Sequence, residues 1–528
     1  MTMLRCKCLI LILAGALFLG LLGACDFGFS SEHAFSSDEM ESMDTKFDFA
    51  LVSLDGEPRL QVVLSFIMPR SRIILRLPSK FLRNNRLFDR IELLDTLSDG
   101  SIEDISGYEN KKILIAPAGR KVSIRYFVRG YGDDIRELKS FSAPMIDSKY
   151  FQFAGTMALV FPIAFFNGKK IPLKFEWHLS PGYEVFDSFG ANKTNQKIEV
   201  NAHELVDSVY IGGADLRAYQ QYVRGQPVNI IFEGQWDRIS DSQFVEVVTR
   251  LLEKQREVWN DDNFPYFLIS FVALGTGCSQ RREARFGGTA HINSFRAYYP
   301  SDCPMKPEMV ELISHELMHG WIGKKIKVGQ VPGGFDGKFF SEGFTDYYGR
   351  IMAYRAGLIS EVTYFKTLDA SLEKYYTSKQ KRTKLRDLVH RIYRKGYSTR
   401  ELENIPYQQG EIMAANLNML IRKNSNHQYS LDDVMKDLLV QADAAGGTKY
   451  FSIEELADAF DRYIPGEFLN LYRKIEHGEE LYPPKLSGCS TPSNLSYTSF
   501  QGAYSRYIPN TNIYTYRKLS ANCARWLK

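Results

Sequence analysis

Residues Glu311–Gly323 read ELISHELMHGWIG, and His315, Glu316 and His319 form a His-Glu-x-x-His pattern within them. On a helix, residues four apart lie on one face, so both imidazoles can reach one metal ion while the glutamate stands beside it. Pro307 suits a first helical turn. Apolar residues recur behind it at helical spacing: Val310, Ile313, Leu317 and Trp321. Two unliganded histidines would be costly to bury on so apolar a helix, which makes an ordinary exposed helix face the weaker interpretation.

The next segment supplies a candidate for the third protein ligand that a catalytic zinc needs. Residues 341–350 read SEGFTDYYGR, and Glu342 follows His319 by 23 residues, far enough for a loop and a return helix. The alternative is an ordinary surface glutamate. Asp346 lies one turn beyond Glu342, where its carboxylate can accept the second ring N–H of a zinc-bound histidine. A solvent-exposed aspartate is the competing interpretation.

These residues together predict zinc-dependent peptide hydrolysis with one Zn²⁺ per chain. Zinc lowers the pKa of a coordinated water towards about 7. Glu316 is the candidate general base, which takes the proton of the water and returns it to the leaving amine. A purely structural zinc is disfavoured, because structural sites fill all four positions, commonly with cysteines.

The first 24 residues have the form of a secretory signal peptide. An apolar run from Leu9 to Ala24 follows Arg5 and Lys7 and is short for a membrane span. It ends in Leu-Gly-Ala directly before Cys25, which is the processing pattern of bacterial lipoproteins. We therefore expect Cys25 to carry lipid, residues 25–45 to form the anchor and tether, and the protein to lie in the bacterial cell envelope, bound to a membrane. An ordinary signal peptide with an incidental cysteine is the alternative.

The remaining cysteines suit an oxidising compartment. With Cys6 and Cys8 removed with the signal and Cys25 lipidated, four of the seven remain, an even number. Three pairings are possible. We favour Cys278–Cys303 and Cys489–Cys523, because each closes a local loop and such links contribute about 3 kcal/mol. Four free buried thiols are the alternative.

The composition is that of a folded protein of several domains. The 528 residues suggest two to four domains, and 44% hydrophobic with 24% charged residues exclude wholesale disorder. The formal net charge of +4 falls to +2 when Arg5 and Lys7 leave with the signal. So small an excess argues against a nucleic-acid partner.

The patterning divides the chain into regions of different character. Residues 46–225 show short alternating strands and are predicted to form an all-β, sandwich-like domain, with a hairpin at Asn167-Gly168. Residues 226–483 are predicted to form the zinc domain, with a capping box at Ser240–Gln243 opening a helix and a mainly helical second half. Residues 484–528 are predicted to form a small C-terminal tail. The fold class expected is therefore α+β multidomain.

Beyond these local signals, the chain resembles the glycyl aminopeptidase family of gluzincin zinc metallopeptidases, and more distantly the alanyl aminopeptidase family. The residues that carry this resemblance are HELMHGWIG followed by FFSEGFTDYY. Ile405–Leu439 is similar to the helical segment after the site in that family, and His203–Gly213 to the segment that leaves its β domain. The resemblance covers roughly residues 47–485. It implies a β domain followed by a thermolysin-like catalytic domain. It also assigns zinc to the candidate ligands His315, His319 and Glu342, the base to Glu316, and oxyanion stabilisation to Tyr407.

The sequence departs from the family pattern in two places. Family members usually end in a PDZ domain, for which the last 44 residues are too short. In the family a Gly-Gly-x-Glu-His stretch precedes the zinc motif, and its glutamate binds the substrate's free α-amine. The matching substrate-binding stretch here is Gly287, Gly288, Thr289, Ala290 and His291, with alanine in place of that glutamate.

Two classes of function follow from this departure. The first is a membrane-anchored zinc metallopeptidase whose partner is a peptide or protein substrate, with aminopeptidase action in doubt because Ala290 cannot pair with an ammonium. The second is a retired peptidase scaffold that acts as a peptide- or protein-binding lipoprotein. Residues 289–299 are expected to form either an edge strand to which a peptide adds, or an ordinary core strand.

Overall fold

A computed structural model describes residues 35–81, 84, 86–130, 142–262, 267–275, 278, 286–329, 335–391, 400–447 and 449–484. The predicted signal peptide, Cys25 and the Cys489–Cys523 pair lie outside these residues. Among the helices in the described ranges, none combines the length and apolar character needed to span a bilayer.

The N-terminal region is built from strands, with a few short helices. The helices are α1 (Ser37–Ser42), α2 (Gly155–Ala158) and α3 (Ala202–Val206), with single 3₁₀ turns at Leu87–Arg90 and Ile163–Phe165. The strands are β1 (Thr45–Leu54), β2 (Glu57–Ile67), β3 (Arg72–Arg76), β4 (Ile91–Thr96), β5 (Ser101–Ile105), β6 (Tyr108–Ile115), β7 (Lys121–Arg129), β8 (Met145–Ile146), β9 (Tyr150–Ala154), β10 (Phe161–Pro162), β11 (Ile171–His178), β12 (Glu184–Asp187), β13 (Gly190–Ala191), β14 (Asn195–Val200) and β15 (Val209–Gly213).

These strands form three sheets around a shared apolar core. The first sheet has the order β14-β11-β1-β2-β7-β4, the second β10-β3-β6-β5, and the third β13-β12-β15-β9-β8. Alternate residues of each strand point inward, as the pleat requires. In β7, for example, Val122, Ile124, Tyr126 and Val128 are buried. The predicted β-rich first region is confirmed.

The hairpin predicted at Asn167-Gly168 is wrong. The turn exists, with Gly168 at φ +79°, but β10 before it pairs with β3 while β11 after it pairs with β1 and β14. The chain therefore crosses between two sheets here. The side-chain amide of Asn167 donates to the carbonyl of Phe35 at 2.9 Å, so a long-range contact stabilises this turn.

The second region combines a five-stranded sheet and a two-stranded sheet with a large helical part, and its mainly helical second half is as predicted. Its strands are β16 (Arg217–Val223), β17 (Gln226–Glu233), β18 (Leu268–Leu274), β19 (Gly287–His291), β20 (Ser294–Pro300), β21 (Lys327–Val328) and β22 (Tyr450–Phe451). Its helices are α4 (Asp241–Trp259), α5 (Pro307–Met318), α6 (Thr345–Arg355), α7 (Glu361–Thr377), α8 (Leu385–Val389), α9 (Arg400–Asn424), α10 (Leu431–Ala444), α11 (Ile453–Asp461) and α12 (Glu467–His477). The capping box predicted at Ser240–Gln243 opens α4.

The larger sheet of this region has the order β16-β17-β18-β20-β19, with helices packed against it, and β21 pairs with β22 in the smaller one. Strand β16 precedes the predicted boundary at residue 226 but pairs with β17. The five-stranded sheet of the second region therefore begins earlier than the sequence suggested. The edge strands of this sheet are β16 and β19, while β20 lies between β18 and β19. Of the predicted edge segment 289–299, only the first residues therefore lie at an edge, and the rest forms a core strand.

A disulfide joins Cys278 to Cys303, with their Cα atoms 5.3 Å apart. Cys303 is fully buried just before α5, and Cys278 follows β18. The backbone N–H of Cys278 also donates to Asp302 at 3.0 Å. Both β19 and β20 lie within the loop that this disulfide closes. The disulfide therefore joins the chain before β19 to the residues just before α5.

Candidate metal centre

Helix α5 carries the first two candidate ligands and the candidate base. Pro307 occupies its first turn, and its apolar face is buried against the sheet and α4. The helix ends with His319 as its C-terminal cap. The rings of His315 and His319 lie 4.6 Å apart, nearly perpendicular to each other. The predicted spacing therefore places both imidazoles side by side.

Glu342 lies in an unusual backbone segment. Residues Phe339–Phe344 form a π-helical turn that continues directly into α6. The sequence predicted a return helix but not this wider turn, a conformation that is rare and frequent at functional sites. Phe339, Phe340 and Phe344 are fully buried and fix the turn in the core, while Glu342 faces the two histidines.

Three donor atoms converge at distances that suit a tetrahedral zinc ion. His315 Nε2 and His319 Nε2 are 3.0 Å apart, and Glu342 Oε2 lies 3.6 Å from the first and 3.5 Å from the second. Bonds of about 2.0–2.1 Å at tetrahedral angles place ligand atoms about 3.3 Å from one another. The residues present therefore fit the ion that the sequence implies, and the fourth position is left for water or substrate.

The outer ring nitrogens of both histidines have acceptors of their own. His315 Nδ1 lies 2.8 Å from Asp346 Oδ1, and His319 Nδ1 lies 3.1 Å from the carbonyl oxygen of Ile322. With each Nδ1 donating its proton, each Nε2 keeps a lone pair for a metal. Asp346 thus lies where the sequence placed it.

Burial and charge oppose each other at these ligands. Burial alone would raise the pKa of Glu342, but hydrogen bonds from His315 and His319 outweigh it and hold that pKa well below the ordinary value. Burial alone would lower the pKa of His315, but its bonds to Asp346 and Glu342 raise it well above the ordinary value. The carboxylate is therefore held ionised, and a metal ion bound at Nε2 of His315 would displace a proton from that imidazole.

Glu316 lies against the edge strand beside the metal ligands. The backbone N–H of Ala290 in β19 donates to its carboxylate, and burial raises its pKa above the ordinary value. A Cβ added at Gly288 would lie 3.0 Å from Cγ and 3.1 Å from Oε1 of Glu316. Gly288 therefore leaves the space that the carboxylate occupies.

Tyr407 reaches the site from the second turn of α9. Its ring is parallel to that of His315, with centroids 6.4 Å apart, and burial raises the pKa of its phenol well above the ordinary value. A phenol that keeps its proton is a hydrogen-bond donor. Close backbone contact brings α9 here, because a Cβ at Gly410 would lie 1.8 Å from the carbonyl oxygen of Phe339 and one at Gly343 would lie 2.4 Å from Gly410 Cα.

These groups line a cavity of about 750 Å³. Of the predicted substrate-binding stretch, Gly287–Ala290 line it and His291 does not. His291 is buried behind the strand instead, stacked on Phe81 at 5.9 Å and 3.4 Å from Asp207, so its role is packing.

The structure adds residues that sequence reasoning missed. Lys338 precedes Glu342 by four residues, and its Nζ lies 3.3 Å from Glu342 Oε1. This spacing of one helical turn is visible in the sequence. Lys324 and Lys327 line the cavity, as do Glu308 and Glu311. No local signal identified these four, because their positions depend on how distant elements pack.

Replacing Asp346 by asparagine should weaken zinc binding about 10- to 100-fold, because the ring of His315 loses a charged acceptor that fixes its tautomer. Competition with a chromogenic chelator would measure the affinity. Asp432→Asn is a matched control, since Asp432 contacts Tyr348 and Arg355 away from the ligands. An unchanged affinity in Asp346→Asn would show that this contact has no role in the metal site.

Part of the chain matches a known peptidase family. The sequence profile of the M61 glycyl aminopeptidase family matches residues 308–413, which confirms the resemblance predicted from the motifs. No curated protein matches the chain.

Among solved structures, an aminopeptidase N family protein from Idiomarina loihiensis is similar, with 19% identity over 84% of this chain and 76% of that one and a TM-score of 0.68. An M1 zinc metallopeptidase from Deinococcus radiodurans has 15% identity over 85% of this chain and 97% of that one, with a TM-score of 0.49. A mutant of it bound to a Tyr-Ser-Ala substrate scores 0.48, with 15% identity over 84% and 96% of the two chains. The first of these similarities confirms the predicted fold, a sheet-rich region followed by a region with a helical second half.

Proposed function

We propose that this protein is a membrane-anchored, zinc-dependent metallopeptidase that hydrolyses peptide bonds. The observation that carries the proposal is the convergence of His315 Nε2, His319 Nε2 and Glu342 Oε2 within 3.6 Å of one another beside Glu316. The match of residues 308–413 to a metallopeptidase family supports it.

The side chains divide the chemistry among them. When bound, zinc would polarise the scissile carbonyl and lower the pKa of water towards about 7. Glu316 accepts the proton of the attacking water and delivers it to the leaving amine. Asp346 keeps His315 in the tautomer that leaves Nε2 unprotonated. Strand β19 offers its free edge to the peptide backbone, which places the scissile bond over Glu316.

Tyr407→Phe should lower kcat about 100-fold and leave KM nearly unchanged. The hydroxyl donates to the carbonyl oxygen as negative charge develops there, an interaction that strengthens only in the transition state. Steady-state kinetics on one peptide would measure both constants. Tyr450→Phe is a matched control, because Tyr450 also lines the cavity but lies on β22. Full kcat in Tyr407→Phe would remove this residue from the mechanism.

Whether the protein acts as an exopeptidase can be tested by comparing peptides whose N-termini are free with peptides whose N-termini are acetylated. A soluble form, residues 26–528, would be loaded with zinc and given one peptide library with free N-termini and the same library acetylated. Cuts after the first residue of free peptides alone would establish an aminopeptidase despite Ala290. Internal cuts in both sets would establish an endopeptidase. Absence of any Glu316-dependent cut in either set would instead favour a binding lipoprotein on a retired scaffold.

Anchoring through Cys25 is a separate part of the proposal. It is supported by the small residues before Cys25 and the basic, then apolar, segment ahead of them. Expressed in a bacterium with its full N-terminus, the protein should fractionate with membranes, and Cys25→Ser should release it. If Cys25→Ser stays in the membrane fraction, lipid on that cysteine is not the anchor.

A further inference from the structure

The cavity over β19 carries opposite charges at its two ends. Lys324 and Lys327 both line it, and the charges of Lys324 and Asp207 act on Lys327, so the two lysines lie near each other. The ammonium of Lys324 donates to Asp207, whose Oδ1 lies 3.4 Å from His291 Nδ1, at the last residue of the strand. The backbone N–H of Ile292 also donates to the backbone carbonyl of Asp207, at 3.0 Å. The lysine end is therefore the C-terminal end of β19.

The acidic end lies at the start of the same strand. Phe286, just before β19, packs against Tyr299 with ring centroids 5.8 Å apart, and the hydroxyl of Tyr299 donates to the carbonyl of Pro304 at 2.7 Å. Helix α5 begins three residues later, and its first two turns place Glu308 and Glu311 in the cavity wall.

Lys327 is the lysine best placed to receive a substrate carboxylate. Its Nζ donates to the carbonyl of Gly447 at 2.7 Å, and no carboxylate among the described residues lies within ion-pair distance of it. Asp207, by contrast, already pairs with Lys324. Burial, and then the charge of Lys324, lowers the pKa of Lys327, so its ammonium is desolvated and gains most from an opposite charge.

The direction of a bound peptide follows from the geometry of an edge strand. Antiparallel pairing is the more stable arrangement per residue, so a peptide added to β19 runs from the His291 end to the Gly287 end. Residues on the N-terminal side of the scissile bond then lie over Ala290 and beside the lysines. A free α-ammonium placed there would lie beside the ammonium groups of Lys324 and Lys327, and strand β19 itself has no acidic side chain to pair with it.

We propose that Lys324 and Lys327 make this site selective for peptides that carry an aspartate or glutamate within three residues on the N-terminal side of the scissile bond. The inference rests on the proposed peptidase function. It names a substrate class for that function, acidic internal sequences, and it assigns the selectivity to Lys327 as the main contact.

The test compares acetylated, amidated peptides that differ at one position. The probes are an acidic peptide with Glu two residues before the cut and matched peptides with Gln or Lys there. For the zinc-loaded protein we expect kcat/KM to favour Glu over Gln about tenfold, the size of one charge-assisted contact. Lys327→Ala should bring the ratio close to one, and Lys327→Glu should invert it in favour of the Lys peptide. Lys449→Ala is the control, because Lys449 pairs with Glu455 outside the cavity.

A binding arm separates failure of the inference from failure of the peptidase function. Fluorescence anisotropy would measure the Kd of the same peptides on Glu316→Gln protein, with and without Lys327→Ala. A tenfold preference for the Glu peptide that Lys327→Ala removes supports the inference even if no peptide is cut. Equal affinities and equal rates for the Glu and Gln peptides would overturn it. A preference that persists in Lys327→Ala would equally overturn it.

Discussion

Glu316→Gln should lower kcat/KM for peptide hydrolysis by about 1,000-fold while the protein retains its zinc. The carboxylate is the group beside the three metal donors that is placed to accept a proton from water, and general base catalysis of this kind contributes about 100- to 10,000-fold. Glutamine keeps the size of the side chain and an oxygen for the N–H of Ala290, so the edge strand should not move. Kinetics on an acetylated peptide and metal analysis on the same sample would test both halves.

The control is Glu311→Gln, five residues earlier on α5. Glu311 lines the same cavity, but it contacts Thr367 and Arg350 rather than the metal donors. We expect its effect on kcat to be far smaller than that of Glu316→Gln. Retention of full activity in Glu316→Gln, with activity still dependent on zinc, would show that another group is the base.

Gly410→Ala should destabilise the protein by about 3 kcal/mol and also reduce activity. The new Cβ would lie 1.8 Å from the carbonyl oxygen of Phe339, a fully buried residue, so the backbone itself must move. That movement would separate α9, which carries Tyr407, from the turn that carries Glu342. Urea unfolding would measure the loss of stability, and zinc affinity would report the displacement of the turn.

Gly275→Ala provides the comparison, because a Cβ there meets nothing within 4 Å. It should change the free energy of unfolding by less than about 1 kcal/mol, as expected for an open position. If Gly410→Ala were as stable as Gly275→Ala, the two backbones would have room to separate and the contact would not determine the site.

The parts of this structure that were predictable are those that depend on local sequence. The helix of His315 and Glu316 follows from its first-turn proline and its apolar periodicity, and α4 follows from the capping box of Ser240. The hairpin at Asn167-Gly168 failed because a turn sequence does not reveal which sheet each flanking strand will join. The position of Lys327 near β19 could not be predicted either. Lys327 lies in β21, and this strand is held in place by pairing with β22, more than 120 residues later.

The π-helical turn at Phe339–Phe344 has a consequence for how this enzyme scaffold can change by mutation. Such a turn contains one residue more than an α-helical path between the same ends. An in-frame deletion of a single codon between Glu342 and α6 would restore regular winding and rotate the preceding side chains, Glu342 among them, by about 100° relative to that helix. Glu342 would then no longer face His315 and His319, although α6 itself would remain. A single-residue deletion would thus suffice to remove the third metal ligand.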